Sequence, residues 1–143
     1  MTKSGNRARA LVVEDDADFR ELLTIYLSGA GYDVATATDG IDALSSMYAS
    51  VPRLVLVDLM MPRMNGLELI DQIRTDRAFA GVRVIAMSAA HALLPRAEAS
   101  RADVVLRKPF DPDVLASLAS LEPAPRADVM PSAAPARERR ASR

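Results

Sequence analysis

Charged and hydroxyl side chains stand directly after short apolar runs: Asp15 and Asp16 follow ALVVE, Asp58 follows LVLV, Ser88 follows VRVIAM, and Lys108 follows VVLR. Three carboxylates, a hydroxyl and an ammonium are the parts needed for Mg²⁺-assisted phosphoryl transfer to an aspartate. A carboxylate attacks phosphorus poorly in water because both partners are anionic. A bound Mg²⁺ takes octahedral oxygen ligands and neutralises charge during in-line transfer. On this reading Asp58 is the nucleophile. Asp16 and Asp58 ligate the metal directly, Asp15 acts through water, and the backbone carbonyl of Met60 completes the protein's share. Lys108 pairs with one phosphoryl oxygen and Ser88 hydrogen-bonds another, both more strongly once phosphate is present.

Such residues meet only if a fold gathers strand ends, and the chain alternates β-branched apolar runs with segments of helical period, the pattern of a βαβ series. Strands are predicted at Ala10 to Glu14, Asp33 to Ala37, Leu54 to Val57, Val82 to Met87 and Val104 to Leu106. The third is the most apolar and is expected at the centre of the sheet. Helices are predicted over Ala17 to Ser28, Ile41 to Tyr48, Asn65 to Thr75 and from Asp111 to about Leu121, with Asp16, Asp39 and Asp111 as N-caps. Gly29 and Gly31 end the first helix, Pro112 opens the last, and a poorly defined helix is expected between Ala92 and Ser100. In a parallel sheet, functional groups collect where the carboxyl ends of strands open into loops.

With 143 residues the chain makes about one domain. A formal net charge of -1 offers no global attraction to nucleic acid or anionic lipid. The absence of cysteine excludes disulfides and thiolate metal sites. No run reaches the roughly 18 apolar residues of a membrane helix, and the polar start is not a signal peptide. From Pro123 the composition turns to Pro, Ala, Ser and Arg, which predicts a disordered tail. His91 is expected as a solvent-facing loop residue, and Met60, Met61 and Met64 as packing residues rather than a binding stripe.

The segments VVEDDADFRELL, VLVDLMMPRMNG, VIAMSA and ADVVLRKPF resemble the successive motifs of bacterial two-component response-regulator receiver domains, over Ala8 to Leu121. The resemblance implies an α/β, flavodoxin-like, doubly wound five-stranded parallel sheet in the order 2-1-3-4-5, with helices on both faces. It implies Asp58 as phosphoacceptor, Asp15 and Asp16 as the acidic metal pair, Ser88 as switch hydroxyl, Lys108 as phosphate-binding lysine, and a cis peptide before Pro109. The expected division is a receiver domain over 8–121 and a tail over 122–143. Val105 stands where the family usually has Tyr or Phe three residues before the lysine, so output through a rotating ring is not expected. Pro95 and Arg101 further mark the segment after Ser88 as unusual.

The expected function is a stand-alone, cytoplasmic phosphoaccepting switch of a two-component or phosphorelay system, with Mg²⁺ as cofactor. It takes its phosphoryl group from a sensor histidine kinase or phosphotransfer protein and signals to a downstream protein. It is not an enzyme beyond its own phosphorylation and dephosphorylation. The expected partner set includes no DNA-binding domain after Leu121 and no membrane, and allows a homodimer. Two alternatives stand beside this: a receiver-like interaction module with phosphate-independent output, and a haloacid-dehalogenase-like phosphatase. The phosphatase would carry a second acidic residue two after the nucleophile, where this chain has Met60.

Overall fold

The computed structural model describes residues 7–61, 63–89, 95–96 and 100–120. His91, most of the expected helix between Ala92 and Ser100, and the tail from 122 onward lie outside the described residues. Strands β1 (Arg9–Val13), β2 (Asp33–Ala37), β3 (Leu54–Asp58), β4 (Arg83–Ser88) and β5 (Val104–Arg107) form one sheet in the order β2-β1-β3-β4-β5, every pair parallel. Among the described residues the longer helices are α1 (Ala17–Gly29), α2 (Gly40–Ala49), α3 (Gly66–Thr75) and α4 (Pro112–Ser120), with a short 3-10 turn at Arg77–Phe79 before β4.

Alternation along each strand divides the apolar residues between two layers, because successive side chains leave a strand on opposite faces. Leu11, Val13, Val55, Val57, Val84 and Ala86 pack against Ala43 and Met47 of α2 and Leu69, Ile70 and Ile73 of α3. Ala10, Val12, Leu54, Leu56, Ile85 and Met87 face Leu23 and Leu27 of α1 and Leu115 and Ala119 of α4. Both faces are covered, which is why LVLV is continuously apolar and why β3, fully buried, is the middle strand as expected. Each fully buried Leu in these layers contributes roughly 1.5–3 kcal/mol relative to exposure.

The predicted helix starts are where local hydrogen bonds make them. Asp16 Oδ1 accepts the amides of Asp18 and Phe19 at 3.0 and 3.2 Å. Asp39 Oδ1 accepts that of Asp42 at 2.8 Å, and Asp111 Oδ1 that of Asp113 at 2.8 Å. Asn65 and Glu68 form a reciprocal capping box, both bonds 3.0 Å. The first helix closes with Ala30 as its cap and Gly31 at φ +101, in the left-handed region that glycine enters without strain. Met61 and Met64 pack against the α2/α3 layer, as expected of gap-filling methionines, while Met60 is 55% exposed. The peptide before Pro109 is cis.

Gly66 joins this packing to the end of β3. Its amide donates to the Leu59 carbonyl at 3.2 Å, and a Cβ there would lie 2.5 Å from the Asp58 carbonyl oxygen and 2.6 Å from Leu59 Cα. Gly66→Ala is expected to destabilise the fold by about 1–3 kcal/mol, since backbone atoms must move to admit one methyl group. The measurement is the urea midpoint, with the slope unchanged.

Candidate functional site

The strand alternation that builds the core also selects the side chains at its carboxyl edge. Ala10 and Val12 face α1, and Glu14 continues that parity one step past β1, its amide still donating to the Ala37 carbonyl at 3.0 Å. Leu54 and Leu56 point the same way, and so does Asp58; Leu106 does too, and so does Lys108. Ser88 follows Met87 and falls on the opposite face, where it is fully buried. Register ties the edge together: Asp58 pairs with Met87, Leu59 N–H donates to the Met87 carbonyl at 2.9 Å, and Lys108 N–H donates to the Ser88 carbonyl at 2.9 Å.

Lys108 Nζ lies 3.2 Å from Glu14 Oε1, 3.4 Å from Asp58 Oδ2 and 4.5 Å from the centre of the Phe19 ring. Phe19 in turn packs on Phe110 with ring centroids 6.1 Å apart. Glu14 and Asp58 are almost wholly buried, at 1% and 5% exposure. Asp58 Oδ1 accepts the Met60 amide at 3.2 Å. From α1, a terminal guanidinium nitrogen of Arg20 donates to the Glu14 carbonyl at 2.8 Å and the Asp15 carbonyl at 3.5 Å, bracing the turn that carries both acids. Glu14, Asp15, Asp16, Asp58 and Lys108 line one cavity of about 680 Å³, whose other wall is Phe19, Leu22, Tyr26 and Phe110.

Carboxylate oxygens of Glu14, Asp15 and Asp58 all lie within 4.8 Å of one another. Three acids around one ammonium leave an excess of negative charge, and burial first, then the neighbouring Asp58 carboxylate, raises the Glu14 pKa from 4.5 to about 7. Convergent hard oxygen donors with unbalanced negative charge fit a small divalent cation such as Mg²⁺.

The expected acidic pair needs correction. Asp15 joins the cluster, but Asp16, expected as a direct ligand, turns one carboxylate oxygen to the α1 cap and is not among the converging acids, where Glu14 stands instead. Asp16 meets Glu14 through its backbone instead, its amide donating to Oε2 at 3.2 Å. Period two alone could have found Glu14, since it shares the face of Ala10 and Val12. Phe19 and Arg20 read in sequence only as helix residues. Met60 is present at Asp58 through its amide, and Val105 is half-buried against the α2/α3 layer with no ring to move.

A family model described as the response regulator receiver domain matches residues 10–120. The chain is 43% identical over 111 residues to the DNA-binding response regulator MtrA of Mycolicibacterium paratuberculosis, covering 76% of this chain and 48% of MtrA. It is 32% identical over 117 residues to protein PilG of Pseudomonas aeruginosa, covering 80% of this chain and 87% of PilG. The receiver domain of sensor histidine kinase PA1611 from Pseudomonas aeruginosa, solved with magnesium coordinated in its active-site cleft, superimposes with a TM-score of 0.71 at 27% identity. That match covers 79% of this chain and 94% of the other. The chain thus spans about half the length of MtrA. The expectation of no DNA-binding domain is not upheld by these relatives: MtrA is named a DNA-binding response regulator, and this chain matches about half of its length. Among the described residues no helix is long and apolar enough to cross a membrane.

The raised Glu14 pKa has a testable sign. Between 4.5 and about 7 the native state keeps a proton that the unfolded chain has released, so this group's stabilising contribution is complete below 4.5 and is lost as pH rises through 7. Urea midpoints from about pH 5 to about pH 8 are expected to fall less for Glu14→Gln than for the wild type.

Proposed function

This chain belongs to the response regulator receiver domain family, and from that premise we propose that it accepts a phosphoryl group on Asp58 and signals through the change in surface contacts that follows. The observation carrying this reading is Asp58 itself, a buried carboxylate ending the central strand, 3.4 Å from the Lys108 ammonium and beside two further acids. A sensor histidine kinase or phosphotransfer protein is the proposed donor, and the cytoplasm the proposed compartment. An Asp58 oxygen forms the bond to phosphorus as the bond from phosphorus to the donor breaks, and the donor's leaving group keeps the electron pair. The only other reaction proposed is hydrolysis of the aspartyl phosphate, in which a water oxygen bonds to phosphorus as its bond to Asp58 breaks, freeing the carboxylate and releasing inorganic phosphate.

Glu14, Asp15 and Asp58, with the Met60 carbonyl, are the groups that would hold Mg²⁺; bound there, it neutralises the charge that keeps a carboxylate and a phosphoryl group apart. Lys108, shared between Glu14 and Asp58, has an anionic competitor on each side and gains most from a phosphoryl oxygen replacing one of them. The Ser88 hydroxyl, ending the next strand, would donate to another phosphoryl oxygen. A phosphoryl group shifts the protein between states only by contacts that differ between them. Lys108 and Ser88 supply such contacts, and with Val105 lacking a ring the change would pass through the backbone around them.

Acetyl phosphate with Mg²⁺ is expected to add one acid-stable, base-labile phosphoryl group, read by intact mass, and Asp58→Asn is expected to stay unlabelled. Label on the Asn variant, or none on wild type, overturns the assignment. For the metal, Asp15→Ala is expected to weaken Mg²⁺ binding about tenfold or more. Asp16→Ala should mainly cost α1 its cap, about 1 kcal/mol of stability. Paired Mg²⁺ titrations and urea melts separate the two.

A further inference from the structure

The loop between β3 and α3 carries Met60, whose amide holds Asp58 Oδ1, so the course of this loop decides how the carboxylate is turned. Arg63 in the same loop has φ +60, a conformation that costs a residue with a side chain free energy and persists where its surroundings impose it. Those surroundings are the start of α2. Arg63 Nε donates to Asp39 Oδ2 at 2.6 Å, and a terminal guanidinium nitrogen reaches the same oxygen. Asp39 is buried, and its other oxygen is occupied in capping α2. One residue on, Gly40 N–H donates to the Met64 carbonyl at 3.1 Å, so close that a Cβ at Gly40 would lie 2.6 Å from Met64 Cγ. The tip of the loop is therefore held to α2 by charge at Asp39 and by contact at Gly40.

We infer that Asp39 and Arg63 form a positioning clamp that keeps the β3–α3 loop where the Met60 amide orients Asp58 for phosphoryl transfer. The inference rests on Asp58 being the phosphoacceptor. Neither clamp residue touches the reacting atoms. The Arg63 side chain is 59% exposed, and a pair with one solvated partner adds little to global stability. Its contribution is geometric: it makes a strained loop conformation the populated one.

The test uses the full chain as wild type, Arg63→Gln, Asp39→Asn and the double variant; Asn retains an oxygen for the α2 cap. Labelling by acetyl phosphate is followed across a Mg²⁺ titration, Met60 amide exchange is followed by NMR, and urea midpoints report folding. Each single variant is expected to need about tenfold more Mg²⁺ for half-maximal labelling, as when outer support of a metal site is removed. The double variant should lose no more than either single one, because both remove the same interaction. Met60 exchange should quicken while the Arg63→Gln midpoint stays near that of wild type. An unchanged Mg²⁺ requirement and unchanged Met60 exchange in folded Arg63→Gln overturn the clamp, as do additive losses in the double variant. Absence of label on wild type Asp58 refutes the phosphoacceptor reading instead, and the Met60 exchange comparison then still decides whether the pair holds the loop.

Discussion

The position of one ammonium organises this molecule's working edge. Lys108 reaches Glu14 and Asp58 at 3.2 and 3.4 Å and lies over the face of Phe19. It satisfies part of an acidic cluster, in which Glu14 and Asp58 are buried and Asp15 is exposed, that it cannot neutralise alone. Like charges this close cannot all ionise without cost, and the burden falls on Glu14, the most enclosed of the three acids. An edge built this way has room, electrostatically, for one more cation and for an anion that would draw Lys108 away from its carboxylates.

Ordinary packing rules hold that arrangement in place. Glu14, Asp58 and Lys108 come from three different strands, yet they share a side of the sheet because each is an even number of positions from an apolar residue packed on α1 or α4. Parallel pairing sets their depth, and Gly66 lets α3 begin against the backbone of Asp58 and Leu59. The first turn of α1 contributes twice, through the Asp16 cap and through Arg20, whose guanidinium ties the carbonyls of Glu14 and Asp15 to the helix. Capping turns Asp16 Oδ1 to the amides of Asp18 and Phe19, and the acids whose oxygens converge are Glu14, Asp15 and Asp58.

Sequence alone determined the architecture. Short β-branched runs, helical periods and capping residues are local signals, and each acts within a few residues of the element it makes. The central place of the Leu54 to Val57 strand and the starts at Asp16, Asp39 and Asn65 were therefore legible, and so were Asp15, Asp58 and Lys108 as companions, while the strand order followed from the family resemblance. Tertiary structure decided what each carboxylate does. Of the consecutive acids Glu14, Asp15 and Asp16, strand parity marks Glu14 as inward, but which of the other two joins it beside Asp58 depends on how the turn into α1 sits at the sheet edge. Whether Arg63 is a surface cation or a brace depends on Asp39, 24 positions away. Charge and hydrogen bonding across the fold are fixed by distances between elements, and composition and spacing along the chain carry no record of those distances.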